Sequence, residues 1–242
     1  ILEADKIIEG AVHRTPLDKS RTFSKMANAE IFLKLENLQK TGSFKARGAF
    51  YKISKLTKEA KAHGVIAASA GNHAQGVAYA ASVAKVHAKI VMPIFAPIAK
   101  ILATKGYGAE VVLHGTVFDE ALEKALEISE KENRTFIHAF DDEYIIAGQG
   151  TIGLEILRSL PDVEVVVVPI GGGGLISGIA TAIKKQKPNV KIIGAQTKTF
   201  PGAYEILKNI HLNKKPWATI ADGIAVKKPG KITSEIISEL VD

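Results

Sequence analysis

The chain has 242 residues, of which 46% are hydrophobic and 24% charged, an ordinary composition for a globular protein with one large core or two smaller ones. It contains no cysteine, which excludes disulfide bonds and cysteine-ligated metal sites and is typical of a reducing compartment, so we expect a cytoplasmic protein. The net charge of +7 comes from scattered lysines without interleaved aromatic residues, and no apolar run is long enough to cross a membrane, so we expect neither a nucleic-acid polymer nor a membrane as partner.

Short runs rich in β-branched residues alternate with longer amphipathic stretches. In chain order, the predicted strands are 31–35, 65–68, 88–92, 109–113, 135–138, 163–168 and 191–195. The predicted helices are 1–8, 20–26, 45–55, 73–82, 96–107, 117–131, 145–160, 175–185, 201–210 and 234–241. Such alternation favours an α/β fold with parallel sheets and helices on both faces. The stretch Val-Glu-Val-Val-Val-Val at 163–168 predicts a strand that is buried on both faces.

The first segment that indicates chemistry is Lys-Thr-Gly-Ser-Phe-Lys-Ala-Arg-Gly-Ala at 40–49. Ser43 is a residue type that caps helices, and a helix that begins near Phe44 would put Lys45 in its first turn. There the helix dipole disfavours a positive charge, and partial burial would lower the pKa of the amine further, so that it becomes a usable nucleophile. From the residues alone, an ordinary surface lysine remains the alternative.

A second segment, Ser-Ala-Gly-Asn-His-Ala-Gln-Gly at 69–76, follows a predicted strand and precedes a predicted helix. Its small residues, with Gly71 among them, expose backbone N–H groups that suit a carboxylate. Asn72 offers a neutral donor and a neutral acceptor. His73 is either catalytic or, as is more common for a histidine at the start of a helix, structural.

The third segment, Gly-Gly-Gly-Gly-Leu-Ile-Ser-Gly at 171–178, also joins a predicted strand to a predicted helix. Consecutive glycines let the backbone approach an anion closely, and the start of a helix adds a favourable dipole, so the segment predicts a phosphate site. It lacks the Gly-Lys-Ser/Thr of a nucleotide P-loop and the spacing of a dinucleotide site. A glycine-rich turn without a ligand is the alternative, and the loop alone does not identify the owner of the phosphate.

In this order, the three segments resemble those of the fold-type II pyridoxal-phosphate (PLP) enzymes, the group of the threonine dehydratases and serine racemases. The segments 149–155 and 220–226 resemble the threonine dehydratase branch, and Gln196-Thr197 resembles its catabolic members. The resemblance covers essentially the whole chain. It implies an α/β fold similar to the tryptophan synthase β subunit, with two parallel-sheet domains. The large PLP-binding domain would comprise 1–51 and 140–242, with its C-terminal part missing, and the small domain 52–139.

The resemblance also implies roles for individual residues, with pyridoxal 5'-phosphate as the cofactor. Lys45 would bind the cofactor covalently and act as the catalytic base. The other cofactor-binding residues would be Phe44 against the ring, Asn72 on the ring oxygen, and Gly171, Gly172, Gly173, Gly174 and Leu175 around the phosphate. The substrate would be held by Ser69, Gly71, Asn72, His73 and Gly223, with Ala221 and Asp222 nearby.

The implied activity is β-elimination of L-threonine, and of L-serine, to a 2-oxo acid and ammonia, in isoleucine biosynthesis or threonine catabolism. Similar serine racemases have a second serine where this chain has Ala70, and alanine cannot donate a proton to the opposite face of the α-carbon, so a dehydratase is favoured. Racemases also have a metal-binding glutamate where this chain has Gln196, so we expect no metal. The alternatives are a serine racemase or serine dehydratase of the same family, and a catalytically silent ligand-binding fragment. A homodimer or homotetramer is implied as well.

Overall fold

A computed structural model describes residues 1–212 and 219–242 of the chain. The strands in this part of the chain are β1 (Leu17–Lys19), β2 (Phe32–Lys34), β3 (Val65–Ala68), β4 (Ala88–Met92), β5 (Glu110–Leu113), β6 (Thr135–Phe136), β7 (Val165–Pro169) and β8 (Lys191–Ala195). The helices are α1 (Leu2–Ile8), α2 (Arg21–Ala27), α3 (Lys45–Ser54), α4 (Lys58–His63), α5 (Asn72–Val83), α6 (Ile98–Gly106), α7 (Phe118–Lys131), α8 (Glu143–Ser159), α9 (Gly174–Lys184), α10 (Gly202–Lys208) and α11 (Lys231–Leu240). Short 3-10 helices lie at Glu36–Leu38 and Asp222–Ile224.

The larger sheet is parallel and four-stranded, with the strand order β5-β4-β3-β6. Successive side chains of a strand point to opposite faces, so Ala67 and Ile90 pack against α3 and α5, whereas Ile66 and Val91 pack against α7. Both faces of the sheet are therefore covered by helices. This arrangement confirms the predicted α/β fold class with parallel strands.

The second parallel sheet pairs β7 with β8 and corrects one expectation. Val166 and Val168 are buried against α9 and its neighbours, but Val165 is 46% and Val167 62% exposed. The prediction that this strand is buried on both faces is therefore wrong for the described residues. A run of valines shows no alternation, so it does not distinguish a strand with one buried face from a strand with two.

The sequence did not predict β1 or α4. β1 pairs antiparallel with β2, but its Leu-Asp-Lys sequence is too short and too polar to give a strand pattern. α4 has six residues, and its N-cap Thr57 accepts a hydrogen bond from the N–H of Ala60 at 3.1 Å. The division into domains 52–139 and 1–51 with 140–242 stays a prediction. No helix among the described residues is long and apolar enough to cross a membrane.

Three helices pack so closely that glycine is required where they cross. A Cβ built on Gly148 of α8 would lie 2.5 Å from the Cα of Gly48 in α3. A Cβ built on Gly178 of α9 would lie 2.5 Å from the backbone nitrogen of Gly150 in α8. Such contacts leave no room for larger residues, so α8 holds α3 and α9 in fixed positions relative to each other. The predicted lysine and glycine segments lie at the first turns of these two outer helices.

Candidate active site

The first turn of α3 positions Lys45. The helix begins at Lys45, with Phe44 at the N-cap, so the predicted place of Lys45 in the first turn is confirmed. The expected capping by Ser43 is shifted by one position, because Ser43 lies before the N-cap. Its hydroxyl still accepts a hydrogen bond from the N–H of Lys45 at 3.1 Å. Ser43, the residue that the sequence indicated, thus stabilises the start of α3.

The Lys45 amine lies in a mostly buried environment. Its Nζ donates a hydrogen bond to the carbonyl of Ala139 at 2.6 Å and lies 5.3 Å from the centre of the Phe44 ring. Burial disfavours the charged form and lowers the pKa of Lys45 from 10.5 to about 8. A substantial fraction of the amine is therefore neutral near physiological pH, and the neutral amine is the nucleophilic form.

The start of α5 presents backbone N–H groups. Gly71 is the N-cap, and its N–H donates to the Ser69 hydroxyl at 3.1 Å. Asn72, the first residue of the helix, is exposed, and a Cβ built on Gly71 would meet nothing within 4 Å. The first N–H groups of a helix have no partners within the helix and carry a partial positive charge. This end of α5 is suited to a small anion such as a carboxylate.

His73 has a structural environment. It is only 4% exposed, and its Nε2 donates a hydrogen bond to the carbonyl of Ile137 at 2.9 Å. Burial, and secondly the nearby charge of Lys45, lower the pKa of His73 to about 3. The ring therefore stays neutral and anchors α5 to residue 137. A substrate contact through its backbone N–H stays a prediction.

The glycine loop lies between β7 and α9 and is buried. Gly173, the N-cap of α9, has φ of +97°, a conformation that side chains rarely adopt. A Cβ built on Gly172 would lie only 2.2 Å from Cδ1 of Phe140. The N–H groups of this loop and of the first turn of α9 are therefore suited to a phosphate.

The 3-10 helix Asp222–Ile224 lies against the other side of this loop. A Cβ built on Gly171 would lie 3.1 Å from the Cα of Ile224 and 3.5 Å from the carbonyl oxygen of Gly223. Leu175 is partly buried and packs into the core around α9. The structure thus brings Gly223 next to the glycine loop, whereas its contact with a substrate stays a prediction.

Residues 137–141, which we call the junction segment, contact all three predicted segments. The carbonyl of Ile137 accepts from His73, and the carbonyl of Ala139 accepts from Lys45. The Phe140 ring packs over Gly172, and its Cβ lies 3.0 Å from a Cβ built on Gly174. Sequence analysis did not single out this segment, because two of its contacts use backbone carbonyls that every residue has.

The residues present fit a ligand that carries both a phosphate and an aldehyde. The glycine loop and the start of α9 supply N–H groups for a phosphate, and Lys45 supplies an amine of lowered pKa that reacts with a carbonyl group. Thr41, which lies four residues before Lys45, has a buried hydroxyl with no hydrogen-bond partner among the described residues. Pyridoxal 5'-phosphate carries both groups.

Comparisons with known proteins point to the same cofactor. The family model described as "Pyridoxal-phosphate dependent enzyme" matches residues 8–242. The chain is 55% identical to the L-threonine ammonia-lyase of Thermotoga maritima, with all of this chain and 61% of that protein covered. It is 49% identical to the catabolic L-threonine dehydratase TdcB of Escherichia coli K12, with all of this chain and 74% of that protein covered.

The solved structure of maize serine racemase matches with a TM-score of 0.95 and 35% identity, and the match covers all of this chain and 73% of that one. The fold therefore does not separate the two activities, whereas sequence identity is higher to the ammonia-lyase and the dehydratase. The chain spans 61% of the length of the Thermotoga maritima relative.

Proposed function

We propose that this chain, which belongs to the family of pyridoxal-phosphate dependent enzymes, forms the catalytic core of an L-threonine ammonia-lyase that also acts on L-serine. The observation that carries the proposal is the Lys45 amine, which has a pKa of about 8 and is held by Ala139, the neighbour of the Phe140 that packs over the glycine loop. The reaction removes ammonia from L-threonine and gives 2-oxobutanoate.

Lys45 has two tasks in this proposal. Its neutral amine would hold the cofactor, and the same amine, once free, would accept the α-proton of the substrate. A base is most effective when its pKa lies near the working pH, and the pKa of about 8 meets this condition. The bound cofactor supplies an electron sink for the charge that develops at the α-carbon. Phe44 and Asn72 would contact its ring, and the loop 171–175 would hold its phosphate.

The start of α5 would bind the substrate carboxylate. Ser69 and Gly71 are joined by a hydrogen bond of 3.1 Å that shapes the turn before the helix. The N–H groups of Asn72 and His73 follow in the first turn. Because His73 is neutral, these backbone groups and the helix dipole would bind the carboxylate without an added cation. Gly223 would lie on the substrate side of the cofactor.

Elimination is favoured over racemisation by Ala70. A racemase needs a proton donor on each face of the α-carbon. Lys45 serves one face, and the methyl group of Ala70 cannot serve the other. Higher identity to the ammonia-lyase of Thermotoga maritima than to the maize racemase supports the same choice.

The proposal includes a cytoplasmic homodimer or homotetramer that needs no metal. The absence of cysteine from the sequence supports a reducing compartment. Size-exclusion chromatography with light scattering tests the oligomeric state. Assays with and without a chelator test the metal requirement.

A spectroscopic experiment tests the role of Lys45. The full-length protein is mixed with PLP, and its visible spectrum is recorded before and after borohydride for the wild type, Lys45→Ala and the control Lys55→Ala at the other end of α3. We expect a band that borohydride removes in the wild type and in Lys55→Ala, and no such band in Lys45→Ala.

The activity is then assayed with L-threonine and L-serine. The expected result is 2-oxo acid and ammonia from both substrates, with a loss of at least about a hundredfold in Lys45→Ala. Formation of D-serine without 2-oxo acid would instead identify a racemase, and bound PLP without any product would identify a silent binding protein.

A further inference from the structure

Thr233 connects the glycine loop to α11. Its side chain is fully buried, at 0% exposure. The hydroxyl donates a hydrogen bond to the carbonyl of Gly172 at 2.8 Å and accepts one from the N–H of Gly230 at 2.9 Å. A Cβ built on Gly173 would lie 2.8 Å from the Cβ of Thr233, so the side chain is also packed against the loop.

The hydrogen bond to Gly172 determines where the next N–H group points. The carbonyl of Gly172 and the N–H of Gly173 belong to one planar trans peptide and therefore point in opposite directions. Thr233, together with the N–H of Gly230 at 3.3 Å, holds this carbonyl toward α11, so the N–H of Gly173 points away from α11. Gly173 has φ of +97°, and glycine has little intrinsic preference that would hold this orientation without an external contact.

Thr233 is itself held in place by the junction segment. The carboxylate of Asp141 accepts hydrogen bonds from the N–H of Thr233 at 3.1 Å and from the N–H of Lys231 at 2.9 Å. Asp141 directly follows Phe140, whose ring packs over Gly172. The same short stretch of chain therefore fixes both Thr233 and the loop that Thr233 contacts.

We propose that Thr233 is a positioning residue for the phosphate of the cofactor, because its hydroxyl orients the Gly172–Gly173 peptide so that the N–H of Gly173 donates to a phosphate oxygen. This inference rests on the proposed function and adds to it a side chain that lies outside the glycine loop. Loss of the hydroxyl would leave the Gly172 carbonyl with the longer hydrogen bond from the N–H of Gly230, at 3.3 Å, so the peptide would be held less firmly and its interaction with the phosphate would weaken. The reaction of Lys45 with an aldehyde would be unchanged.

The test compares two ligands that differ only in the phosphate. Dissociation constants for PLP and for pyridoxal are measured with cofactor-free full-length protein for the wild type, Thr233→Val and Thr233→Ser. Ser234→Ala is the matched control, because its hydroxyl lies on the same turn and donates to Gly230 rather than to the loop, at 2.6 Å. Thermal unfolding of each cofactor-free protein, and the ³¹P NMR shift of bound PLP, are recorded in parallel.

We expect Thr233→Val to bind PLP about tenfold more weakly, as the loss of one hydrogen bond to a charged group implies, with a shifted ³¹P signal and unchanged affinity for pyridoxal. Thr233→Ser and Ser234→Ala should behave as the wild type. A Thr233→Val protein that weakens the binding of both ligands equally, or of neither, would overturn the proposal while leaving PLP binding by the wild type intact.

Wild-type protein that does not distinguish PLP from pyridoxal would overturn the phosphate site itself, and with it the proposed function. If Thr233→Val does not fold, the comparison of Thr233→Ala with Thr233→Ser gives the same test, because only the serine retains a hydroxyl.

Discussion

Gly76 of α5 lies directly against the backbone of Lys45. A Cβ built on Gly76 would lie 2.9 Å from the carbonyl carbon of Lys45 and 3.0 Å from its Cβ. Neither atom is the end of a flexible side chain, so a larger residue at position 76 has to move the first turn of α3. The α5 segment predicted to bind the substrate therefore also fixes the position of the catalytic lysine.

Gly76→Ala should consequently impair catalysis more than the addition of a single methyl group suggests. We expect the overpacking to cost about 1–3 kcal/mol in the free energy of unfolding, and kcat for L-threonine to fall at least about tenfold because the amine is misplaced. The control is Gly106→Ala in α6, where an added Cβ would meet nothing within 4 Å. Urea unfolding and steady-state kinetics give the two values. Wild-type kcat in Gly76→Ala would contradict this role of the helix contact.

The lowered pKa of Lys45 makes the stability of the cofactor-free protein depend on pH. The pKa is about 8 in the folded chain and 10.5 for a lysine in water, so the unfolded state binds more protons between these values. The free energy of unfolding therefore rises with pH across this interval, and below pH 8 the buried lysine costs on the order of 3 kcal/mol.

Lys45→Met should accordingly be more stable than the wild type at about pH 7, and this advantage should shrink by about pH 10. Urea unfolding of both cofactor-free proteins at the two pH values measures the difference. Lys105→Met, at an exposed position in the last turn of α6, is the control. Its free energy of unfolding should differ from that of the wild type by the same amount at both pH values. An advantage of Lys45→Met that does not depend on pH would contradict the lowered pKa.

Sequence patterns predicted the local structure around the site but not its tertiary contacts. The starts of α3 and α9 were predictable because serine and glycine mark helix starts by local backbone chemistry. The contacts of the junction segment were not predictable, because Ile137 and Ala139 accept hydrogen bonds through backbone carbonyls and Phe140 contributes the shape of its ring. The exposed face of β7 was not predictable either, because a run of identical valines does not show which side of the strand is covered.

The burial of Arg47 is a third feature that the sequence did not reveal. Arg47 lies two residues after Lys45 and is fully buried, at 0% exposure. Its guanidinium donates to Glu155 at 2.6 Å and to Glu36 at 2.7 Å, and Lys34 donates to Glu155 at 2.5 Å. The partners come from distant parts of the chain, so no local pattern marks them.

Arg47→Met should be strongly destabilising, because it removes the guanidinium that pairs with Glu36 and Glu155, whose side chains are 13% and 7% exposed, and leaves Lys34 paired with Glu155. We expect a loss of about 3–5 kcal/mol in the free energy of unfolding, measured in urea. Arg158→Met is the matched control, since Arg158 pairs with Asp5 and its side chain is 48% exposed. That change should cost at most about 1 kcal/mol. Equal losses of stability in the two variants would show that the buried ion pairs of Arg47 stabilise the protein no more than the exposed pair of Arg158.

The contact between Gly172 and Phe140 predicts a coupling between two substitutions. A Cβ on Gly172 would lie 2.2–2.4 Å from three ring atoms of Phe140, so Gly172→Ala should destabilise the protein by about 1–3 kcal/mol and weaken PLP binding. In Phe140→Ala the ring atoms that lie nearest to this added methyl group are absent. The double variant should therefore be more stable than the sum of the single effects by at least about 0.5 kcal/mol.

Urea unfolding and PLP dissociation constants for the four proteins of this cycle measure the coupling. The control is a second cycle, which combines Gly172→Ala with Phe118→Ala; Phe118 lies at the start of α7 and is 49% exposed. The effects of these two substitutions on the free energy of unfolding should be additive. Additivity in the Phe140 cycle as well would mean that the ring moves aside without cost. The requirement for glycine at position 172 would then not arise from the ring, and weaker PLP binding by Gly172→Ala would assign it to the phosphate.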